Sequence, residues 1–413
     1  MAPERGRHAW PGRPGLTAFA RSDLTLGVGM ALGTALSYAF SLVVSRSLGP
    51  AGFGAFSAVI GFGLLGSIPA GALQVVVARR VVMRAPHAQA PVLAGMVGGG
   101  LLVAMTVLSP VLERVLHLPS VWPAVALGAL LVPMTLTGVY QGLLLGRRRL
   151  GALAVLYVVT SLGRLLAGVA AALFGLSITE LLFATVVMGA LAAAWGGWVT
   201  RSDGQAVTGG SLLELGLEVL RSSWTLSSLI ALTSVDVVLA RHYLSRQASG
   251  EYALAALFGK VVFWGTQFVA LVVVPRVTHD SGRRAVRPAV VAVAGLGLAV
   301  TAVLLPSPRW WVVAVGGPDY ANAAGLAVAF SVVGTGWALL QVVLFGQMGR
   351  NRVGISGAVW TATVVELVLC VGWLHHSAAE VLASVGLAAV LALASGAVVA
   401  TRGGPRPLLD DGA

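Results

Sequence analysis

The sequence predicts an all-α polytopic membrane protein of about twelve transmembrane helices, arranged as two six-helix lobes related by a pseudo-two-fold axis along the membrane normal. Three observations predict it. The 413 residues are 57% hydrophobic and only 10% charged, with a mean hydropathy of +0.89. Soluble domains carry about 25% charged residues, so lipid must solvate much of this surface. Apolar runs long enough to cross a bilayer recur twelve times, and features of the first six reappear in the last six.

A helix needs about 20 apolar residues to span the hydrocarbon core. The qualifying runs are 24–44, 54–78, 91–112, 122–145, 151–174, 180–200, 219–240, 253–275, 286–305, 323–347, 354–374 and 380–400. Barrel strands would alternate apolar and polar residues, and these runs do not. Arg5, Arg7, Arg13 and Arg21 precede the first run, as in a signal sequence. That run is nevertheless long enough to span, and no small-x-small cleavage pattern follows it, so it reads as a retained helix.

Arginine placement sets the orientation. With the N-terminus in the cytoplasm, twenty arginines fall on inside segments and five (Arg46, Arg114, Arg241, Arg246, Arg309) on outside ones. The positive-inside rule then places both termini in the cytoplasm. The same clustering, as in Arg79-Arg80 and Arg147-Arg148-Arg149, accounts for the net charge of +12 without a nucleic-acid partner. A polar stretch rich in Ser and Gly divides the chain. The expected organisation is a basic tail (1–23), an N-lobe (24–200), a cytoplasmic linker (201–218), a C-lobe (219–400) and a second tail (401–413). The single cysteine, Cys370, excludes an intrachain disulfide or a cysteine-based metal site.

The halves read as copies. VVSRSLGPAGFGAFSAV (Val43–Val59) is echoed by VLARHYLSRQASGEYALAAL (Val238–Leu257), matching Arg46 to Arg241 and Gly52 to Gly250. QGLLLGRRRLG from Gln141 is echoed by QVVLFGQMGRNRVG from Gln341. Repeats six helices apart keep the same topology, which implies parallel lobes with a site between them near mid-membrane.

Three segments resemble the polysaccharide-export, O-antigen flippase-like branch of the multidrug/oligosaccharidyl-lipid/polysaccharide exporter superfamily. SRSLGPAGFGAFSAV is similar to its R-x-LG-x-x-x-(F/Y)G turn after helix one. Val235–Val277 resembles the signature of helices seven and eight, including the closing Pro-Arg. WWVVAVGGPDYANAAGLAVAF (Trp310–Phe330) resembles the segment leading into helix ten. The resemblance implies a bacterial plasma-membrane flippase. Its partners would be a polyprenyl-pyrophosphate-linked glycan, membrane lipids and polysaccharide-assembly proteins, with no cofactor. A cation-coupled drug or small-molecule exporter of the same superfamily is the alternative. An enzyme is not expected, since no nucleophile motif, metal cluster or phosphate-binding glycine loop occurs.

Charges inside spans are costly and need a reason. Arg164 and Lys260, the only lysine, lie well inside predicted helices as cations and are candidates for meeting substrate phosphate. Arg46 and Arg241 are further cavity candidates, with gating or headgroup anchoring as their other roles. Gln141 and Gln341, with Gln74 and Gln267, are polar positions suited to sugar hydroxyls or interhelical bonds. Asp236 and Glu366 are candidates for proton or cation coupling, and Asp236 could alternatively pair with Lys260. Pro69 and Pro133 are expected to kink helices two and four.

Overall fold

The computed structural model describes residues 16–201, 207–265, 283–348 and 354–402, and among these every regular element is helical. The first element, α1 (Leu16–Gly66), is two helices joined at Gly49, which has φ 63° and ψ 177°. Glycine adopts positive φ without a Cβ penalty, and Pro50 follows with its φ already set for a new helix. The chain reverses there. Sixteen residues along a straight helix cover about 24 Å, yet the Phe40 and Phe56 ring centroids lie 5.8 Å apart. The second arm breaks at Ser67 and continues as α2 (Ile68–Val82). Pro69 lies in the first turn of α2, where a missing N–H leaves no helical bond unmade. The bend expected at Pro69 is therefore a break two residues earlier, at Ser67.

Next come α3 (Ala90–Val115), α4 (Trp122–Gly146), α5 (Leu150–Phe174) and α6 (Ile178–Arg201). α4 runs through Pro133 as one helix. α7 (Leu212–Leu232) begins seven residues before the apolar run expected from 219. The Ser211 side chain caps it, accepting the Glu214 N–H at 3.0 Å. Capping chemistry, not hydropathy, sets this start. After a break at Thr233-Ser234 the span resumes as α8 (Val235–Tyr243), and α9 (Arg246–Gly265) returns. The remainder of the eighth span, with Gln267, lies outside the described residues. α10 (Arg283–Leu304) turns by 91° into the short α11 (Pro308–Gly316). A 3-10 turn (Pro318–Ala323) leads to α12 (Ala324–Met348), followed by α13 (Gly354–Gly372) and α14 (Ala378–Arg402).

By length and apolarity seven described helices suffice to cross a membrane, or nine if each bent pair is one span. One of the seven, the 59-residue Leu24–Val82, is the reversed pair described above. With that pair counted as two, and with α9 and the shorter apolar α13, the crossings come to the expected twelve. In the first lobe α1 packs on α5, while α4 packs on α2, α3 and α6. In the second, α12 packs on α9, α10 and α14, and α13 on α14. The lobes meet along α1 and α9 and along α2 and α7.

The two ends of the bundle are joined differently. At the arginine-rich end, Glu218 of α7 pairs with Arg79 (2.9 Å) and Arg80 (2.7 Å) of α2. Arg79 is largely exposed, and exposed pairs contribute little. At the opposite end the lobes interdigitate. A Cβ on Gly54 would come within 2.8 Å of the Gly250 nitrogen, and one on Gly250 would strike the Pro50 carbonyl. The buried rings of Phe40, Phe56, Phe53 and Tyr320 form a continuous run across this junction, with successive centroids 5.8, 6.3 and 6.3 Å apart.

Candidate functional site

Between the lobes lies a cavity of about 470 Å³. Its first-lobe wall comes from α1 and α5, through Ser37, Tyr38, Ser41, Tyr157, Ser161 and Arg164. Its second-lobe wall comes from α9, through Leu257, Lys260 and Trp264. A second cavity of about 370 Å³ adjoins it, lined mostly by the first lobe and closed by Ile230 and Trp264 of the second, and the two share Arg164 and Trp264. Its polar lining includes Gln74, Thr137, Gln141, Thr160 and Thr185. Both cavities are built from the middle of the helices and from the halves nearer the arginine-rich end. The interdigitated glycines close the other end.

The first-lobe wall is polar and internally bonded. Gln74 Nε2 donates to Tyr157 Oη at 2.8 Å. Ser37 Oγ donates to the Gly33 carbonyl at 3.0 Å and lies 3.3 Å from Ser161 Oγ. Thr160 Oγ1 donates to the Leu156 carbonyl at 2.8 Å, and Thr185 Oγ1 to the Leu181 carbonyl at 2.9 Å. Their lone pairs remain free to accept from a ligand. Tyr38 Oη is buried with no partner among the described residues.

Arg164 and Lys260 are the cations of this wall. Among the described residues neither makes a hydrogen bond or an ion pair, and both line the cavity from opposite lobes. A cation held at this depth with no ion-pair partner in contact, Lys260 having only the non-contacting carboxylate of Asp236 behind it, favours an anion beside it. Arginine and lysine both pair strongly with phosphate oxygens.

Behind Lys260 the second lobe buries two carboxylates. Asp236 of α8 and Glu366 of α13 are both fully buried. Tyr252 Oη donates to Asp236 Oδ2 at 3.2 Å. Asp236 Oδ1 and both Glu366 oxygens lack partners, as does the indole N–H of Trp337. Asp236 feels the charges of both Lys260 and Glu366, but the direct Asp236–Lys260 pair expected as one alternative does not form among the described residues. No group of three His, Cys, Asp or Glu side chains there is arranged to hold a metal ion.

The structure thus brings Arg164, Lys260 and Gln141 to the cavities and leaves the other candidates elsewhere. Arg46 and Arg241, also expected as cavity candidates, are absent from the linings of both cavities. They sit in the last turns of the first arm of α1 and of α8, at the arginine-poor end, and donate to carbonyls of the opposite lobe. Gln341 is buried inside the second lobe and lines neither cavity. Sequence reasoning missed Ser37, Ser41, Tyr157, Ser161 and Trp264. The first four carried a signal: Ser37 and Ser41 are four apart, and Tyr157, Ser161 and Arg164 follow at four and three, a single helical face.

No family profile and no curated protein sequence matches the chain. Solved structures do. The inward closed conformation of the lipid II flippase MurJ superposes with a TM-score of 0.75 at 11% identity, over 92% of this chain and 88% of that one. An inward-facing multidrug resistance MATE family transporter of the MOP superfamily gives 0.68 at 15% identity, covering 92% and 98%. The MATE multidrug transporter DinF-BH, in complex with R6G, gives 0.63 at 16%, covering 94% and 97%. At these identities the likeness is one of architecture, and the chain has the two-lobed fold of MOP-superfamily transporters.

Proposed function

We propose that the protein translocates a lipid-linked oligosaccharide, carried on a polyprenyl pyrophosphate, from the inner to the outer leaflet of a bacterial plasma membrane by alternating access. Both termini are then cytoplasmic, and the arginine-poor end faces outward. One observation carries this reading: two unpaired cations, Arg164 and Lys260, face a common cavity from opposite lobes. An anionic headgroup bound between them ties the lobes together. The adjoining cavity, lined by Gln74, Gln141 and threonine hydroxyls, offers donors and acceptors to sugar hydroxyls. The fold shared with a protein named a lipid II flippase supports the same class of substrate. Asp236 and Glu366 are the coupling groups in this scheme: buried carboxylates with free oxygens can take up a proton or a monovalent cation. Membrane lipids and polysaccharide-assembly proteins are its partners.

The test is the leaflet distribution of lipid-linked oligosaccharide in a strain lacking the protein. Precursor should accumulate on the inner leaflet. Arg164→Gln should fail to relieve that accumulation, with transport at least 10-fold below wild type, the scale of one lost charge-assisted hydrogen bond. An unchanged distribution in the deletion strain would defeat the proposal. The buried carboxylates also favour a second reading, a cation-coupled exporter of small molecules. That reading predicts efflux of a soluble compound that survives Arg164→Gln and stops with Glu366→Gln.

A further inference from the structure

We propose that the outer closure is held by two repeat-related arginine latches of unequal strength: Arg241 is the standing pivot, and Arg46 is the catch that lets go when the cavity opens outward. The inference rests on the alternating-access reading above.

The pairing is reciprocal. Arg241 lies in the last turn of α8 and reaches into the first lobe, where Nε donates to the Leu116 carbonyl at 2.9 Å and Nη2 to the His117 carbonyl at 3.0 Å. Leu116 is the C-cap of α3, the third helix of that lobe. Arg46 lies in the last turn of the first arm of α1, before Gly49, and reaches into the second lobe, where Nε donates to the Val315 carbonyl at 3.2 Å and Nη2 to the Ala314 carbonyl. Those carbonyls belong to the last turn of α11, on the connection that follows the third helix of that lobe. Each arginine therefore caps a helix C-terminus at the outer end of the opposite lobe, that of the third helix for Arg241 and that of the short helix just after the third for Arg46. A two-fold axis requires such reciprocity of equivalent residues. The chemistry suits it, because the last carbonyls of a helix have no intrahelical donor and form the negative end of its dipole.

The two latches differ in burial. Arg241 is only 3% exposed. It also donates to Ser249 Oγ at 3.1 Å and to the Ala51 carbonyl at 3.4 Å. Beside it His242 Nδ1 donates to the Val115 carbonyl at 2.8 Å, and its ring lies 6.0 Å from that of His117. Removing Arg241 from this nest would strand buried carbonyls and a desolvated guanidinium. Arg46 is exposed, so water can take over both of its bonds. Its partner α11 is a nine-residue helix set at 91° to α10, with Trp310 61% exposed. Release on this side frees a short peripheral helix, while the Arg241 side keeps the lobes in register.

The test uses the full chain with Cys370→Ala, which removes its one cysteine, and Ser41→Cys in the cavity wall. A membrane-impermeant maleimide is applied to intact cells or to inverted vesicles. The background protein should react chiefly from the inner face. Arg46→Gln should raise labelling from the outer face several-fold, and Arg46→Lys should give a smaller rise. Arg241→Lys should lower thermal stability without raising outer labelling. Outer-face labelling left unmoved by Arg46→Gln would overturn the catch alone. A larger outer response to Arg241→Lys than to Arg46→Gln would overturn the assignment of roles. Reaction from neither face would defeat the cavity reading itself.

Discussion

The two lobes repeat one topology but spend their polar residues in opposite ways. The first lobe turns serines, tyrosines, threonines and glutamines toward the cavities, and most of them are hydrogen-bonded to its own helices or to each other. The second lobe offers the cavity little beyond Lys260 and Trp264. It holds its carboxylates behind that wall, fully buried and only partly bonded. A satisfied polar wall can exchange one partner for another at little cost and suits a surface that handles many hydroxyls. An unsatisfied buried carboxylate is costly and persists only where it does something. Recognition and coupling are thereby divided between copies of one unit, with Arg164 and Lys260 facing each other across the division.

That division supposes that the lobes move as bodies about a shared crossing. Gly250→Val breaks it most severely. Any side chain there meets the Pro50 backbone, and backbone cannot yield as a side-chain tip can. Overpacking typically costs about 1–3 kcal/mol, and more where backbone must shift. Gly250→Val should therefore give little monodisperse protein, with a clearly lowered melting temperature in detergent. Wild-type yield and melting would mean that the lobes do not touch at Gly54 and Gly250.

Glu366→Leu addresses the second lobe by itself. It removes two unpartnered oxygens from a fully buried site. Stability should stay level or rise by about 1–3 kcal/mol, the size of the desolvation penalty relieved. Transport should fall sharply in the same protein. A destabilised variant that still transports would make Glu366 a structural group and end the contrast between the lobes. Under the same logic Asp236→Asn keeps a hydrogen-bond acceptor for Tyr252 and should lose transport with little change in melting.

Much of this fold could be read from residue order. Spans are a matter of apolar length, and the twelve runs carry it plainly. The repeat of Arg46 at Arg241 was legible as well, but its meaning was not. The partners of both arginines are main-chain carbonyls, which every residue has and no side chain advertises. Only the packing of one lobe on the other brings them together. Depth misled in a similar way: Gln341 sits mid-helix like Gln141, yet it faces its own lobe's interior. Hydropathy alone does not tell which side of a buried helix looks into a cavity. The polar face of Tyr157, Ser161 and Arg164 was readable in principle, because their spacing is helical and their surroundings are apolar.

The smallest change sharpens the contrast from the first lobe's side. Tyr157→Phe deletes one hydroxyl and leaves the ring. The Gln74 amide loses its acceptor at 2.8 Å, and a net intramolecular hydrogen bond contributes about 0.5–1.5 kcal/mol. Because both residues line cavities, water can reach the freed amide, so the loss belongs at the low end of that range. The melting temperature should barely move. If the wall hands its hydrogen bonds to sugar hydroxyls, transport should drop about two- to tenfold, since the transition to the bound state loses the same donor. Equal transport with equal melting would make this bond dispensable and place sugar recognition on Gln141 and the threonines of the inner pocket instead.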